Sequence, residues 1–157
     1  PVASLSHLRD VLLLCVGTVC ALRASEVAAF DLCDLSWDQD GADTLMLTVK
    51  LRKQATAREG LFPRIGSAVN PRYNILRLMR MMLRWGKLER AATCTKRRLP
   101  TEQCIACRPL FRKMEPHGKA FAKGEEARIT TSLISEALKR MMNRIGVNAE
   151  GYSAISM

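Results

Sequence analysis

Histidine is scarce in this sequence: only His7 and His117 are present, and neither belongs to a Ser/His/Asp arrangement that could activate a nucleophile. A P-loop, a GxGxxG turn and an HExxH helix are also missing, so hydrolase and nucleotide-binding chemistry has no motif to rest on. The longest uncharged apolar stretch, Val11 to Leu22, is 12 residues between Asp10 and Arg23, short of the roughly 20 that a bilayer-spanning helix requires. No membrane protein and no membrane partner is expected. The opening, Pro-Val-Ala-Ser-Leu-Ser-His, lacks the basic region leading into an apolar one that marks a signal peptide. It also lacks an initiating Met, and the closing run Tyr152 to Met157 carries no cap or polar tail, so both edges are expected to be those of a fragment.

The composition is that of a folding chain. With 157 residues, 48% of them hydrophobic, and a mean hydropathy of −0.05, one domain with a real core is expected. Charge is unevenly placed. The formal total is +10, but Pro1 to Leu45 holds two basic and seven acidic residues, net −5, whereas the remainder holds 23 against 8, net +15. From Arg72 to Arg98 nine basic residues face a single acid, Glu89, which fits a surface that meets phosphates and equally a solvated face that keeps the protein soluble. Of six cysteines, Cys15, Cys20 and Cys33 sit in apolar runs and Cys94, Cys104 and Cys107 in polar context. A reducing, intracellular compartment is expected, nuclear if the source is eukaryotic.

Periodicity predicts a mainly α protein with a small antiparallel β hairpin or sheet. Leu5, Leu8, Val11, Leu12, Cys15, Val16 and Val19 recur at helical spacing, predicting a buried amphipathic helix from about Ser6 to Val19. A second helix follows in Arg23-Ala-Ser-Glu-Val-Ala-Ala-Phe-Asp-Leu, with Glu26 where a carboxylate favours the dipole. After the turn cluster Asp38 to Asp43, Leu45, Leu47, Val49 and Leu51 alternate with Met46, Thr48, Lys50 and Arg52, a half-buried strand. Its return would be Gly60 to Gly66, at an edge because of Pro63. Asn70-Pro71 starts and Gly86 stops a third helix. On it Arg77, Arg80, Arg84 and Lys87 form a basic stripe, with Ile75, Leu78, Met79 and Met82 on the apolar side. Residues 89–124 read as an irregular basic connection with a short buried piece at Leu110-Phe111. A last helix is predicted from about Thr131 to Ile145, stopped by Gly146, with Leu133, Ala137, Leu138, Met141 and Ile145 inward and Lys139, Arg140 and Arg144 outward.

Three features could carry chemistry. Arg23 has Glu26 three residues on, so a carboxylate could orient a guanidinium held against a phosphate; the same spacing also describes an ordinary surface ion pair. Lys53, at the mouth of the hairpin, could reach a cleft as a proton donor or phosphate contact, or simply be solvated. Cys94, Cys104, Cys107 and His117 follow C-x9-C-x2-C-x9-H, which could close a zinc site although the outer spacing is atypical; free thiols are the competing state, and no cofactor is expected.

The order of these elements resembles the catalytic domain of tyrosine recombinases of the phage-integrase type, with closest similarity to those of eukaryotic mobile elements. The resemblance runs through a helix, Leu22-Arg23-Ala-Ser-Glu26-Val27, a second helix, an acidic turn into Leu45 to Lys53, and Leu61-Phe-Pro63 returning. It continues through Leu110-Phe111 and a helix Ser135 to Gly146 that precedes Tyr152-Ser153-Ala154-Ile155-Ser156-Met157, where the family has Ser-Ala-His-x-x-Arg. It covers nearly the whole chain, residues 1–157, as a catalytic-domain-like α+β fold incomplete at its C-terminus. It implies metal-independent DNA strand breaking and rejoining, in which a tyrosine attacks the scissile phosphate and forms a 3′-phosphotyrosyl link. Arg23 would grip the phosphate and Glu26 would buttress it, while Lys53 would protonate the leaving 5′ oxygen, with Lys50 as the alternative for that role. Lys50, Arg52, Arg77, Arg80, Arg84, Lys87, Lys139 and Arg140 would contact DNA, and self-association on DNA is implied for the full-length parent. Two departures follow: Ile155 stands where the family has its His, and the second Arg and the nucleophilic Tyr are not in this chain. DNA binding without cleavage is therefore expected. The competing readings are a non-catalytic DNA-binding module derived from a recombinase and a zinc-stabilised interaction protein.

Overall fold

The computed structural model describes residues 4–37, 44–49, 63–67, 74–88, 108–117, 119–123 and 127–150. Over these the fold is α+β, with helices α1 (Leu5–Val19), α2 (Ala24–Ala28), α3 (Ile75–Trp85) and α4 (Thr131–Arg144) and strands β1 (Leu35–Trp37), β2 (Thr44–Leu47) and β3 (Arg64–Gly66). Helix α1 is the hub and packs against α2, α3 and α4. It begins at Leu5 because Ser4, in extended backbone, accepts the His7 N–H at 3.1 Å, which satisfies one of the orphan donors of the first turn. Leu5, Leu8, Leu12, Leu13 and Val16 are buried, joined in the core by Leu76, Met79 and Met82 of α3 and Ile134 of α4.

Three helices end in the same backbone device. After α1 the Leu22 N–H bonds to the Gly17 carbonyl at 2.8 Å and the Ala21 N–H to Thr18 at 3.2 Å. After α3 the pairs are Leu88 to Leu83 and Lys87 to Arg84; after α4 they are Val147 to Met142 and Gly146 to Asn143. These are Schellman closures, each needing a left-handed residue at the turn. That residue is Ala21 (φ 49°), Lys87 (φ 55°) or Gly146 (φ 76°). Gly86, expected to end α3, does so from one position earlier with ordinary φ −76°. What glycine supplies there is room, since a Cβ would lie 2.5 Å from a Phe121 ring carbon.

The sheet is antiparallel in the order β1-β2-β3, so β3, which follows Pro63, is an edge as expected. Leu35 pairs with Leu47, and Leu45 with both Trp37 and Ile65. Leu45, Leu47 and Ile65 turn into the core. Sequence alternation locates β2, which ends at Leu47 rather than running on to Arg52, and the predicted return from Gly60 to Gly66 contains β3; β1 escapes it because its three residues are too few to display a period.

Further differences are local. Helix α3 is capped by Asn74, whose side chain accepts the Arg77 N–H at 3.1 Å; Asn70 and Pro71 lie outside the described residues. Val19 and Ile145, expected inward, are 62% and 71% exposed because each sits at the end of its helix, beyond the neighbouring elements. Residues 108–123, expected to be irregular, form isolated antiparallel bridges: Asp31 with Pro109, Arg112 with Arg128, and Met114 with Phe121. They insert Leu110 and Phe111, both fully buried, into the core, where the Leu110 N–H bonds to the Phe30 carbonyl at 2.9 Å. Among the described residues no helix is long and apolar enough to cross a membrane.

Candidate functional site

The Schellman closure of α1 sets the first site. Leu22 is buried completely, which anchors the corner, and the next residue, Arg23, emerges exposed as the N-cap of α2. The Glu26 carboxylate Oε2 accepts the Arg23 backbone N–H at 2.8 Å. Glu26 is 8% exposed. The i, i+3 relationship expected between the two residues is thus present, but it acts on the main chain: Glu26 fixes the path of Arg23 rather than aiming its guanidinium. That guanidinium has no hydrogen bond or ion pair among the described residues. A stiffly held backbone with a solvent-facing guanidinium is an arrangement that can receive a phosphate oxygen.

Close behind, Asp31, Cys33 and Asp34 offer ligand atoms within 4.8 Å of one another. The carboxylates already serve the fold. Asp31 Oδ1 accepts Arg128 Nη2 at 2.6 Å, Arg128 Nη1 reaches the Ala28 carbonyl at 3.2 Å, and Asp34 Oδ2 accepts the Asp31 N–H at 2.8 Å. Arg128 therefore pairs with one of the two acids of this turn, Asp31, and closes the C-terminal end of α2.

The second feature is the outer face of α3. Arg77, Arg80, Arg84 and Lys87 are all exposed, as their spacing implies. Three belong to the helix, and Lys87 lies past its end in the left-handed turn. The Arg80 guanidinium stands 4.8 Å over the Trp37 ring, a cation–π contact that joins the stripe to β1. Lys139 is exposed on α4. Arg140, its neighbour, has a partner of another kind, the buried Asp10, at 2.8 Å.

Lys50, Arg52 and Lys53, with the turn of the hairpin, lie outside the described residues, as do Cys94, Cys104, Cys107, Tyr152 and Ile155. His117 is exposed in a turn. Cys15 and Cys20 are free thiols, and burial pushes both above the usual thiol range, away from reactive thiolate; Cys33 Sγ donates to Asp34 Oδ1 at 3.8 Å.

Sequence reasoning missed a buried polar network. Arg9 and Asp10 are 4% and 5% exposed. Arg9 donates to Asp10 Oδ1 through Nε at 2.9 Å and Nη2 at 2.6 Å, and to the Arg112 carbonyl through Nη1 at 2.9 Å. The signal was available: an adjacent Arg-Asp pair inside a helix whose other inward positions are apolar must find partners.

Set beside known proteins, the chain matches no protein-family model and no curated protein.

Proposed function

We propose that this chain is a DNA-binding catalytic-domain relative of the tyrosine recombinases that binds DNA without cutting it. The observation that carries the reading is Arg23: an exposed guanidinium on a corner whose backbone is pinned by the buried Glu26 carboxylate. In this reading Arg23 grips a DNA phosphate, a task that suits a planar fork better than an ammonium. The exposed Arg77, Arg80 and Arg84 track the backbone alongside, with Lys87 and Lys139 as further contacts. Lys50, Arg52 and Lys53 would add the hairpin's contribution, and by the resemblance Lys53 would protonate a leaving 5′ oxygen in an active parent. Strand breaking needs a tyrosine oxygen to displace that 5′ oxygen from phosphorus, and the resemblance assigns that role to neither Tyr73 nor Tyr152. Ile155, an alkyl group where the family has an imidazole, favours a second reading, a module that has kept the basic surface and lost the chemistry.

The test is fluorescence anisotropy on a duplex carrying a nick, with a salt titration, beside a covalent-trapping assay on a suicide substrate. We expect no phosphotyrosyl adduct and a salt-dependent affinity that falls in Arg23→Ala, with a slope lower by about 1 if one phosphate contact is lost. Covalently trapped DNA would overturn the non-cleaving part. Unchanged affinity and slope in Arg23→Ala would remove Arg23 from the interface.

A further inference from the structure

A cavity of about 460 Å³ lies where the end of α3 meets the 108–123 segment, within the size range of small-ligand sites. Five cationic side chains line it, Lys87, Arg108, Arg112, Lys119 and Lys123, against one carboxylate, Glu115. None of these six groups makes an ion pair among the described residues. Trp85 and Phe121 contribute aromatic wall.

Arg112 is the unusual member. It is 4% exposed, yet among the described residues its guanidinium donates only through Nε, to the Pro109 carbonyl at 2.9 Å, and Nη2 is buried with no hydrogen-bond partner there. Its main chain is held on both sides, because its carbonyl accepts Arg9 Nη1 and the residue bridges Arg128. A buried guanidinium with an unused donor and no ion pair among the described residues is costly. Burial, and secondarily the charge of Arg108, hold its pKa below the ordinary arginine value, which marks the same lack of compensation. An anion in the cavity would relieve it, and the surplus of four positive charges matches a multiply charged one.

We propose that this cavity is a phosphate-binding site, with Arg112 as its buried anchor and Arg108, Lys119 and Lys123 closing on the ligand from the rim. The site is separate from Arg23. Arg112 is tied to Arg9 near the start of α1, whereas Arg23 follows the other end, about 15 Å further along the helix axis at 1.5 Å per residue. The proposal therefore stands independently of DNA binding at Arg23. The phosphate could belong to a free phosphorylated small molecule or to a DNA backbone, and the two sources separate experimentally.

The experiment is titration of the chain with sodium pyrophosphate at constant ionic strength, read by tryptophan fluorescence, to which Trp85 of the cavity wall and Trp37 both contribute, and by calorimetry. The wild type, Lys119→Ala/Lys123→Ala and Arg23→Ala are compared. Both lysines are exposed, so the double variant should fold; Arg112→Lys, checked by its melt, is the second variant. We expect saturable binding in the wild type and in Arg23→Ala, and about tenfold or greater weakening in the double variant, the scale of losing charge-assisted hydrogen bonds. Absence of saturable pyrophosphate binding, or equal affinity in the double variant, overturns the site. A labelled duplex then distinguishes the sources. Pyrophosphate that displaces the duplex from the wild type, together with weaker duplex binding by the double variant, places a DNA phosphate in the cavity, and a duplex bound equally by the double variant leaves a free phosphorylated ligand; either result retains the phosphate site.

Discussion

Asp10 Oδ2 accepts a 2.8 Å hydrogen bond from Arg140 Nη2, tying α1 to α4 across 130 positions of sequence. The other carboxylate oxygen is taken by Arg9, which in turn holds the Arg112 carbonyl, so one buried acid joins two helices and the bridged segment. Asp10→Ala leaves Arg9 buried and uncompensated, and a loss of about 3–5 kcal/mol is expected. Arg140 has a side chain 45% exposed; solvent screens its contribution, and Arg140→Ala should cost no more than about 1 kcal/mol. Urea unfolding of the two variants decides the matter, and equal losses would contradict the asymmetry.

Gly86 meets Phe121 where no side chain fits. A Cβ there would stand 2.5 and 2.7 Å from two ring carbons and 2.9 Å from the Met82 carbonyl. Phe121, 5% exposed, must shift, and Gly86→Ala is expected to destabilise by about 1–3 kcal/mol as an overpacked position. Because Gly86 and Phe121 both line the cationic cavity, the same change should alter Trp85 emission. A variant with wild-type stability and emission would show that the ring has free space to move into.

Ala21 carries the left-handed turn that precedes Arg23 without a glycine to ease it. A non-glycine residue in this region costs about 1–2 kcal/mol, while introducing glycine loosens the unfolded chain by about 0.4–1 kcal/mol. Ala21→Gly should therefore stabilise by between about 0 and 1.6 kcal/mol, with a midpoint of about 0.8 kcal/mol. Chemical denaturation measures it, and a loss of stability would mean that the Ala21 methyl contributes packing that outweighs the strain.

How much of this was legible in the sequence depends on what each pattern encodes. The inward faces of α1 and β2 were plain, because Leu8, Leu12 and Val16, and likewise Leu45 and Leu47, repeat at periods that only one geometry satisfies. Their ends were less so. Val19 and Ile145 continue the helical period past the last residue that has a neighbour to pack against, and periodicity knows nothing of neighbours. Asn70 before Pro71 reads as the start of α3, whereas Asn74 caps it, because capping is decided by which side chain reaches an orphan N–H. For Arg23 and Glu26 the spacing correctly implied an interaction, but it does not say whether the carboxylate meets the guanidinium or the main chain. The cavity was invisible for a simpler reason. Lys87, Arg108, Arg112, Lys119 and Lys123 come from the end of a helix and a bridged segment 20 residues later, and only tertiary pairing gathers them.

His7 offers a pH test of the α1–α4 junction. Arg144 Nη1 lies 2.6 Å from His7 Nδ1, and since a guanidinium only donates, Nδ1 must accept and the neutral ring must carry its proton on Nε2. Partial burial and then the charge of Arg144 lower the His7 pKa from the ordinary value of 6.5, with Asp10 opposing. The unfolded chain therefore takes up its proton first as pH falls, binds more protons than the folded chain below about pH 6.5, and is favoured by them. Stability contributed by neutral His7 is present above that pH, declines as pH falls through the window down to the folded pKa, and is constant below it. His7→Gln, which cannot titrate, should flatten this part of the profile when urea midpoints are compared from pH 7.5 to pH 5.5. A wild-type midpoint that rises on acidification through that range would mean that Asp10, not Arg144, dominates the field at the ring.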